Sequence, residues 1–205
     1  MTTFEEAAIS LQAKSAEDYV DLGLTLRNQE HVEASMAAYQ TAIKLKPEYA
    51  VAHNNLGVIL QEKGETEAAL AAYQTAIKLK PEYAVAHYNL GAILQEKGET
   101  EAALAAYRTA IDLEPEYAEA HYNLGAILQG KGETEAALAA YRTAIDLKPD
   151  YHFAKLGLAI AQIPVIYSSK EEITLRRHNY QGELQNLAQY YQLASEKEQA
   201  EAATA

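Results

Sequence analysis

Three histidines, His53, His87 and His121, recur every 34 residues, and a row of imidazoles is the first feature of this chain that could hold a metal. A metal needs ligands converging within about 2 Å of one point, whereas equivalent positions of stacked helices stand about 8–10 Å or more apart. The row does not converge. A second candidate is Gly125-Ala-Ile-Leu-Gln-Gly130-Lys131-Gly132, one residue short of a phosphate-binding loop. Such a loop needs Ser or Thr after its Lys to hold magnesium, and it follows a strand and opens a helix. Here Gly132 takes that place, and the sister copy reads Gln95-Glu96-Lys97-Gly98. No paired carboxylates or Ser/His/Asp arrangement stand out, since Glu65, Glu67, Glu99 and Glu101 fall on polar helix faces. The chain is expected to carry no catalytic residue, no cofactor and no metal.

What these residues share is a period, and the period defines the elements that carry them. Residues 50–83 and 84–117 differ only at Asn54/Tyr88, Val58/Ala92, Gln74/Arg108, Lys78/Asp112 and Lys80/Glu114. Residues 118–151 differ from 84–117 at four positions, and 16–49 form a more diverged first copy. Each copy has two halves of helical spacing. In the third, Ala86, Leu90, Ile93 and Leu94 recur at intervals of three and four, as do Leu104, Tyr107, Ala110 and Ile111. Gly98 supplies the positive φ that ends the first half, and Pro115 closes the second because its ring has no N–H to continue a helix. One such hairpin leaves an apolar side bare until a neighbour stacks on it, so stability belongs to the array.

Composition agrees with a helical array and excludes other classes. Of 205 residues 40 are Ala, the best helix former, with 10 Gly, 5 Pro, no Trp and 2 Phe. A β-sandwich or barrel would need Val, Ile, Thr and aromatics in alternation. The chain holds 29 Asp+Glu against 17 Lys+Arg, a formal charge of -12. Nucleic acid and anionic membranes are thereby disfavoured as partners. There is no Cys, no basic leader at the acidic start and no apolar run of membrane length, so the expected location is the cytoplasm.

The copies resemble the tetratricopeptide repeat (TPR) family. Its pattern is carried by Leu90-Gly91, Ala103, Tyr107, Ala110 and Pro115, with equal matches in the second and fourth copies. The first departs, with Ser35 in place of the Ala and Glu30 where the others have Gly64, Gly98 and Gly132. The resemblance implies an all-α fold, a right-handed TPR solenoid of helix-turn-helix repeats (16–49, 50–83, 84–117 and 118–151). It also implies a concave groove lined by the first helix of each repeat. Carried over residue by residue, the groove holds Asn55, Asn89 and Asn123 in succession, with Asn54, Tyr88 and Tyr122 before them and Gln61, Gln95 and Gln129 one to two turns on. An amide donates and accepts, so such a row suits the backbone of an extended peptide. Inheritance of the repeat without use would leave the same row. Family members that clamp a carboxylate use cations in the groove, and the two registers open to such a clamp contain none.

The flanks are expected to close the array. Residues 1–15 place Phe4, Ala8 and Leu11 at helical spacing, and 152–167 read as a partial fifth repeat through Phe153, Leu156, Leu158 and Ile160. Ser168 and Ser169, each three before a Glu, open a helix in 168–205, its tail 196–205 expected to fray, that either caps the array or offers a seam to a second chain. The stretch 163–173, with Arg176 and 180–184, also resembles the segment joining repeats to catalysis in bacterial SPINDLY-type O-linked sugar transferases. The primary expectation is a non-enzymatic scaffold for a protein or peptide, extended and neutral-to-basic. The alternatives are a substrate-recruiting relative of that transferase arm and an array that self-associates through its ends.

Overall fold

The structure, a computed structural model, describes residues 14–162 and, further on, 174–175, 178–182, 185–186 and 188–189. Between residues 16 and 161 it has nine helices: α1 (Ala16–Asn28), α2 (Val32–Leu45), α3 (Ala50–Glu62), α4 (Thr66–Leu79), α5 (Ala84–Glu96), α6 (Thr100–Leu113), α7 (Ala118–Gly130), α8 (Thr134–Leu147) and α9 (His152–Ala161). No strand occurs among the described residues. The fold is all-α and built of helix-turn-helix repeats. It falls into two compact units that divide between Pro115 and Glu116. Gly125–Gly132, the near match to a phosphate loop, forms the last turns of α7 and its exit.

Alternating connections make the repeat. Within each hairpin the turn is drawn tight by a residue with positive φ: Gly64 at 75°, Gly98 at 76° and Gly132 at 78°. The chain then folds back, with Glu65 N–H donating to Leu60 O at 2.8 Å and Glu99 N–H to Leu94 O at 2.9 Å. Between hairpins the link is a β-turn with Pro second: Tyr49 N–H donates to Lys46 O at 3.0 Å and Tyr83 N–H to Lys80 O at 3.1 Å. His53 and His87 fasten this link. Each lies 2.8 Å through Nε2 from the carbonyl of Pro47 or Pro81, and since a carbonyl only accepts, Nε2 carries the proton. The recurring histidines of the first unit thus brace a turn. Among the described residues no group of three or more His, Cys, Asp or Glu is placed to hold a metal.

The hairpins close on tyrosine. Tyr39, Tyr73, Tyr107 and Tyr141, one per second helix, are at most 2% exposed. Each ring lies on the glycine of its own first helix, where a Cβ on Gly57 or Gly91 would come within 2.7 Å of a ring carbon. Around Tyr39 gather Ala16, Val20, Ala42, Ala52 and Ile59, drawn from α1, α2 and α3. Tyr73 does the same with Ala69 and Ile93. Small residues bring the helices close and one large ring fills the space, the density expected of a protein interior.

The flanks differ in how much is described. The predicted helix over 1–15 lies outside the described residues except at its end, where Ser15 caps α1 with a capping box. Asp18 N–H donates to Ser15 Oγ at 3.1 Å and Ser15 N–H to Asp18 Oδ2 at 2.8 Å. The described residues beyond 173 are helical, and His178, Asn179, Gly182 and Asn186 share a cavity of about 290 Å³ with Arg142 and Gln162. Ser168, Ser169, Leu184, Leu187, Tyr191 and residues 163–173, on which the capping box and the transferase resemblance rest, lie outside the described residues.

The first hairpin tests the turn. Glu30 holds a φ of 61° where the other copies have glycine, a conformation that costs an L-residue about 1 kcal/mol. Glu30→Gly is expected to raise stability by about 1 kcal/mol, and Gly98→Ala, which has open space but φ of 76°, to lower it by a similar amount, read from urea unfolding.

Candidate functional site

Each first helix turns one side to its tyrosine and leaves another for solvent or ligand. Counting the copies from residues 16, 50, 84 and 118, the twelfth place links the two sides. Tyr73 Oη donates to Gln61 Oε1 at 2.8 Å, Tyr107 to Gln95 at 3.1 Å and Tyr141 to Gln129 at 2.7 Å. The carbonyl half of each predicted groove glutamine therefore satisfies a buried phenol. Gln61 is committed further, since its Nε2 donates to Glu96 Oε1 at 2.7 Å. These glutamines serve the hairpin packing first; Gln95 and Gln129 retain their amide nitrogens.

In the first copy Arg27 stands at this twelfth place and turns outward, its Nε donating to Glu62 Oε1 at 2.9 Å. Its guanidinium is thereby paired. Tyr39 loses its acceptor, and its Oη is buried without a hydrogen-bond partner. Ser35, where the family has Ala, donates instead to the carbonyl of Gly23 at 2.7 Å. Sequence reasoning missed this coupling, although the signal was present: Tyr follows Gln by twelve residues and Gly by sixteen in every later copy.

The asparagines form a relay in the first unit. Asn89 Nδ2 donates to Asn54 Oδ1 at 2.9 Å, and Asn54 Nδ2 donates to Asn55 Oδ1 at 3.2 Å. Asn54, named with Asn55 as a groove residue, is 2% exposed, and its amide joins Asn55 of α3 to Asn89 of α5. Buried amides must be paired, and these two bonds fix which end of each amide faces which. Asn55 keeps both N–H of its amide and Asn89 its carbonyl oxygen, a donor and an acceptor on neighbouring helices. Both are half-buried.

Where Asn54 would recur, Tyr88 and Tyr122 stand. Tyr88 tilts against Tyr107 at 5.7 Å between centroids, and Tyr122 against Tyr141 at 5.8 Å. Asn123, half-buried in the second unit, follows Tyr122 on α7. The amide row stops there because Gly157 takes the equivalent place on α9. Tyr141 lies so close that a Cβ there would sit 2.8 Å from the ring. Carboxylates surround the first unit's turns, where Lys63 reaches Glu33 at 2.9 Å and Glu65 at 3.5 Å, and Lys97 reaches Glu99 at 3.4 Å. Such exposed pairs contribute about 0–1 kcal/mol each.

Comparison with known proteins agrees with this geometry. The TPR repeat matches residues 23–64, 59–98 and 93–132, and the tetratricopeptide repeat matches 118–151. The chain belongs to the tetratricopeptide-repeat family, a fold of protein–protein interaction. Among solved structures it is similar to MamA, at 24% identity over 85% of this chain and 96% of that one, with a TM-score of 0.70. It is also similar to MamA 41-end from Desulfovibrio magneticus RS-1, at 18% identity over 90% of this chain and 97% of that one, with a TM-score of 0.67. YrrB, a TPR protein with an unusual peptide-binding site, is 19% identical over 91% of both chains, with a TM-score of 0.64. At these identities the likeness shows the fold. No curated protein matches the chain. Among the described residues no helix is long and apolar enough to cross a membrane.

The tyrosines supply two measurements. Tyr73→Phe is expected to cost about 1 kcal/mol because it strips Gln61 of its donor, whereas Tyr39→Phe removes an unpaired buried hydroxyl and should match or exceed the wild type in urea. Burial raises the phenol of Tyr73, with the carboxylates of Glu96 and Glu62 adding to it, and burial pushes Tyr141 up to about 12. The unfolded phenols ionise near pH 10, so this stabilisation is complete below that pH and is lost as pH rises from about 10 towards 12. The urea midpoint should therefore fall between pH 9.5 and 11.5, about the range that brackets the unfolded value.

Proposed function

We propose that the chain is a non-enzymatic scaffold that holds an extended peptide segment against the first helices of its repeats (16–49, 50–83, 84–117 and 118–151), those of either unit taken by itself. The relay Asn89–Asn54–Asn55 carries this reading. It orients two half-buried amides so that one offers N–H groups and the other a carbonyl oxygen, the pair a peptide backbone needs. Asn123, half-buried on α7, holds the equivalent place in the second unit. Backbone contacts of this kind grip without regard to side chains, and charge then selects. Residues 16–151 hold 21 Asp+Glu against 11 Lys+Arg, so the field favours neutral-to-basic segments and repels acidic ones, most strongly at low salt. YrrB, a TPR protein with a peptide-binding site, supports a peptide as the ligand class. An acidic chain without cysteine suits the cytoplasm.

Replacing Asn55, Asn89 and Asn123 together by Ala is the direct test, with peptides selected on the wild-type chain as ligands. The helical circular-dichroism signal should persist. Binding should weaken by more than about 1 kcal/mol, since each amide hydrogen bond contributes roughly 0.5–1.5 kcal/mol. Unchanged affinity with the fold intact would move the peptide to another face.

A further inference from the structure

Helix α9 is apolar on two sides, and among the described residues only one of them is covered. Ala154, Leu158, Ala159 and Ala161 are buried, while Phe153 is 53% exposed, Leu156 40% and Ile160 47%. The exposed three are spaced three and four apart, so they share one face of the helix. Counted from residue 118 through a fifth copy, they occupy the second, fifth and ninth places, those held in the fourth by Glu119, Tyr122 and Ala126. Tyr122 connects the two helices. Its ring lies 5.3 Å from Tyr151 and 6.4 Å from Phe153, and Tyr151 meets Phe153 edge-on at 6.4 Å. Within the second unit the first-helix surface therefore passes from the amide of Asn123 to an aromatic-walled apolar end.

We propose that this end is an anchor site for one bulky apolar side chain, aromatic or branched aliphatic, of the extended peptide; the inference rests on the peptide reading above. Size decides between a side chain and a second copy of the chain. Taking about 200 Å² for a large side chain, Phe153, Leu156 and Ile160 expose on the order of 250 Å². A stable dimer needs about 800 Å² per partner, whereas a single aromatic side chain of a ligand buries about 150–250 Å². Charge agrees with a neutral-to-basic segment around the anchor. Residues 116–162 hold six Asp+Glu against four Lys+Arg, and Lys148 is bound to Glu119 at 2.9 Å with its ammonium 5.1 Å from the Tyr151 ring centroid.

The experiment is selection of random peptides about a dozen residues long, displayed and panned against the full chain, with winners measured by fluorescence anisotropy. The winners should share one Phe, Leu, Ile, Met or Trp at a fixed place. Ala at that place should weaken binding about tenfold or more, and Leu156→Ser/Ile160→Ser should weaken the parent peptide by a similar factor. The Ala peptide should bind the two chains equally. Should the double variant lose helical signal, Ile160→Gln alone makes the same comparison at an exposed position. Winners that ignore both substitutions but depend on Asn55, Asn89 and Asn123 would overturn the anchor and leave the groove reading standing. Winners that ignore all five residues, or no winners, would overturn both. Self-association in sedimentation that disappears in the double variant would make this face a contact between copies and sink the anchor.

Discussion

The rest of the structure depends on the contact of one tyrosine ring with one glycine backbone in each repeat. Because Gly57 and Gly91 have no Cβ, the first helix approaches until the ring of Tyr73 or Tyr107 lies on its main chain, and that distance sets where every other side chain falls. The ring brings a hydroxyl into a place with almost no water, and a buried donor must be satisfied. Gln61, Gln95 and Gln129 satisfy it. The packing of the hairpin therefore reaches to the surface proposed for the peptide, since one side chain serves both.

The first repeat shows the cost of leaving this arrangement. Arg27 cannot accept from Tyr39, so the phenol is left unpaired, and Glu30 holds a left-handed backbone without being glycine. Two compensations lie nearby. Arg27 gains Glu62 across the repeat boundary, and Ser35 gains the carbonyl of Gly23. The capping box of Ser15 and Asp18 adds a third at the start of α1. The first repeat thus departs from the pattern of the others at places where local bonds stand in for the shared ones.

The recognition we propose follows from arrangement. An asparagine on a helix face is a solvated side chain; two of them joined through a buried third become a donor and an acceptor with fixed directions. Pre-organised groups lose less freedom when a ligand arrives, which is how modest hydrogen bonds become useful affinity. The surface charges act at longer range. The many Lys–Glu pairs around the turns are exposed and add little to stability, and the excess of carboxylates leaves the chain with a formal charge of -12.

The sequence by itself determined the helix-turn-helix repeat, its period and the family, because near-identical copies leave only one register for the apolar stripe, and Gly98 and Pro115 mark where the chain must turn. It also carried the solvated carboxylates, since Glu65, Glu67, Glu99 and Glu101 are exposed. Tertiary structure alone decided which amides face out. Asn54 and Asn55 are neighbours in sequence, yet a helix rotates about 100° per residue, so Asn54 is buried and joined to Asn89 of α5 while Asn55 is only half-buried. It likewise decided that Leu158 is buried while Phe153, Leu156 and Ile160 on the same apolar helix are bare. Hydrophobicity says that a residue can be buried; only the neighbour that packs against it says which one is.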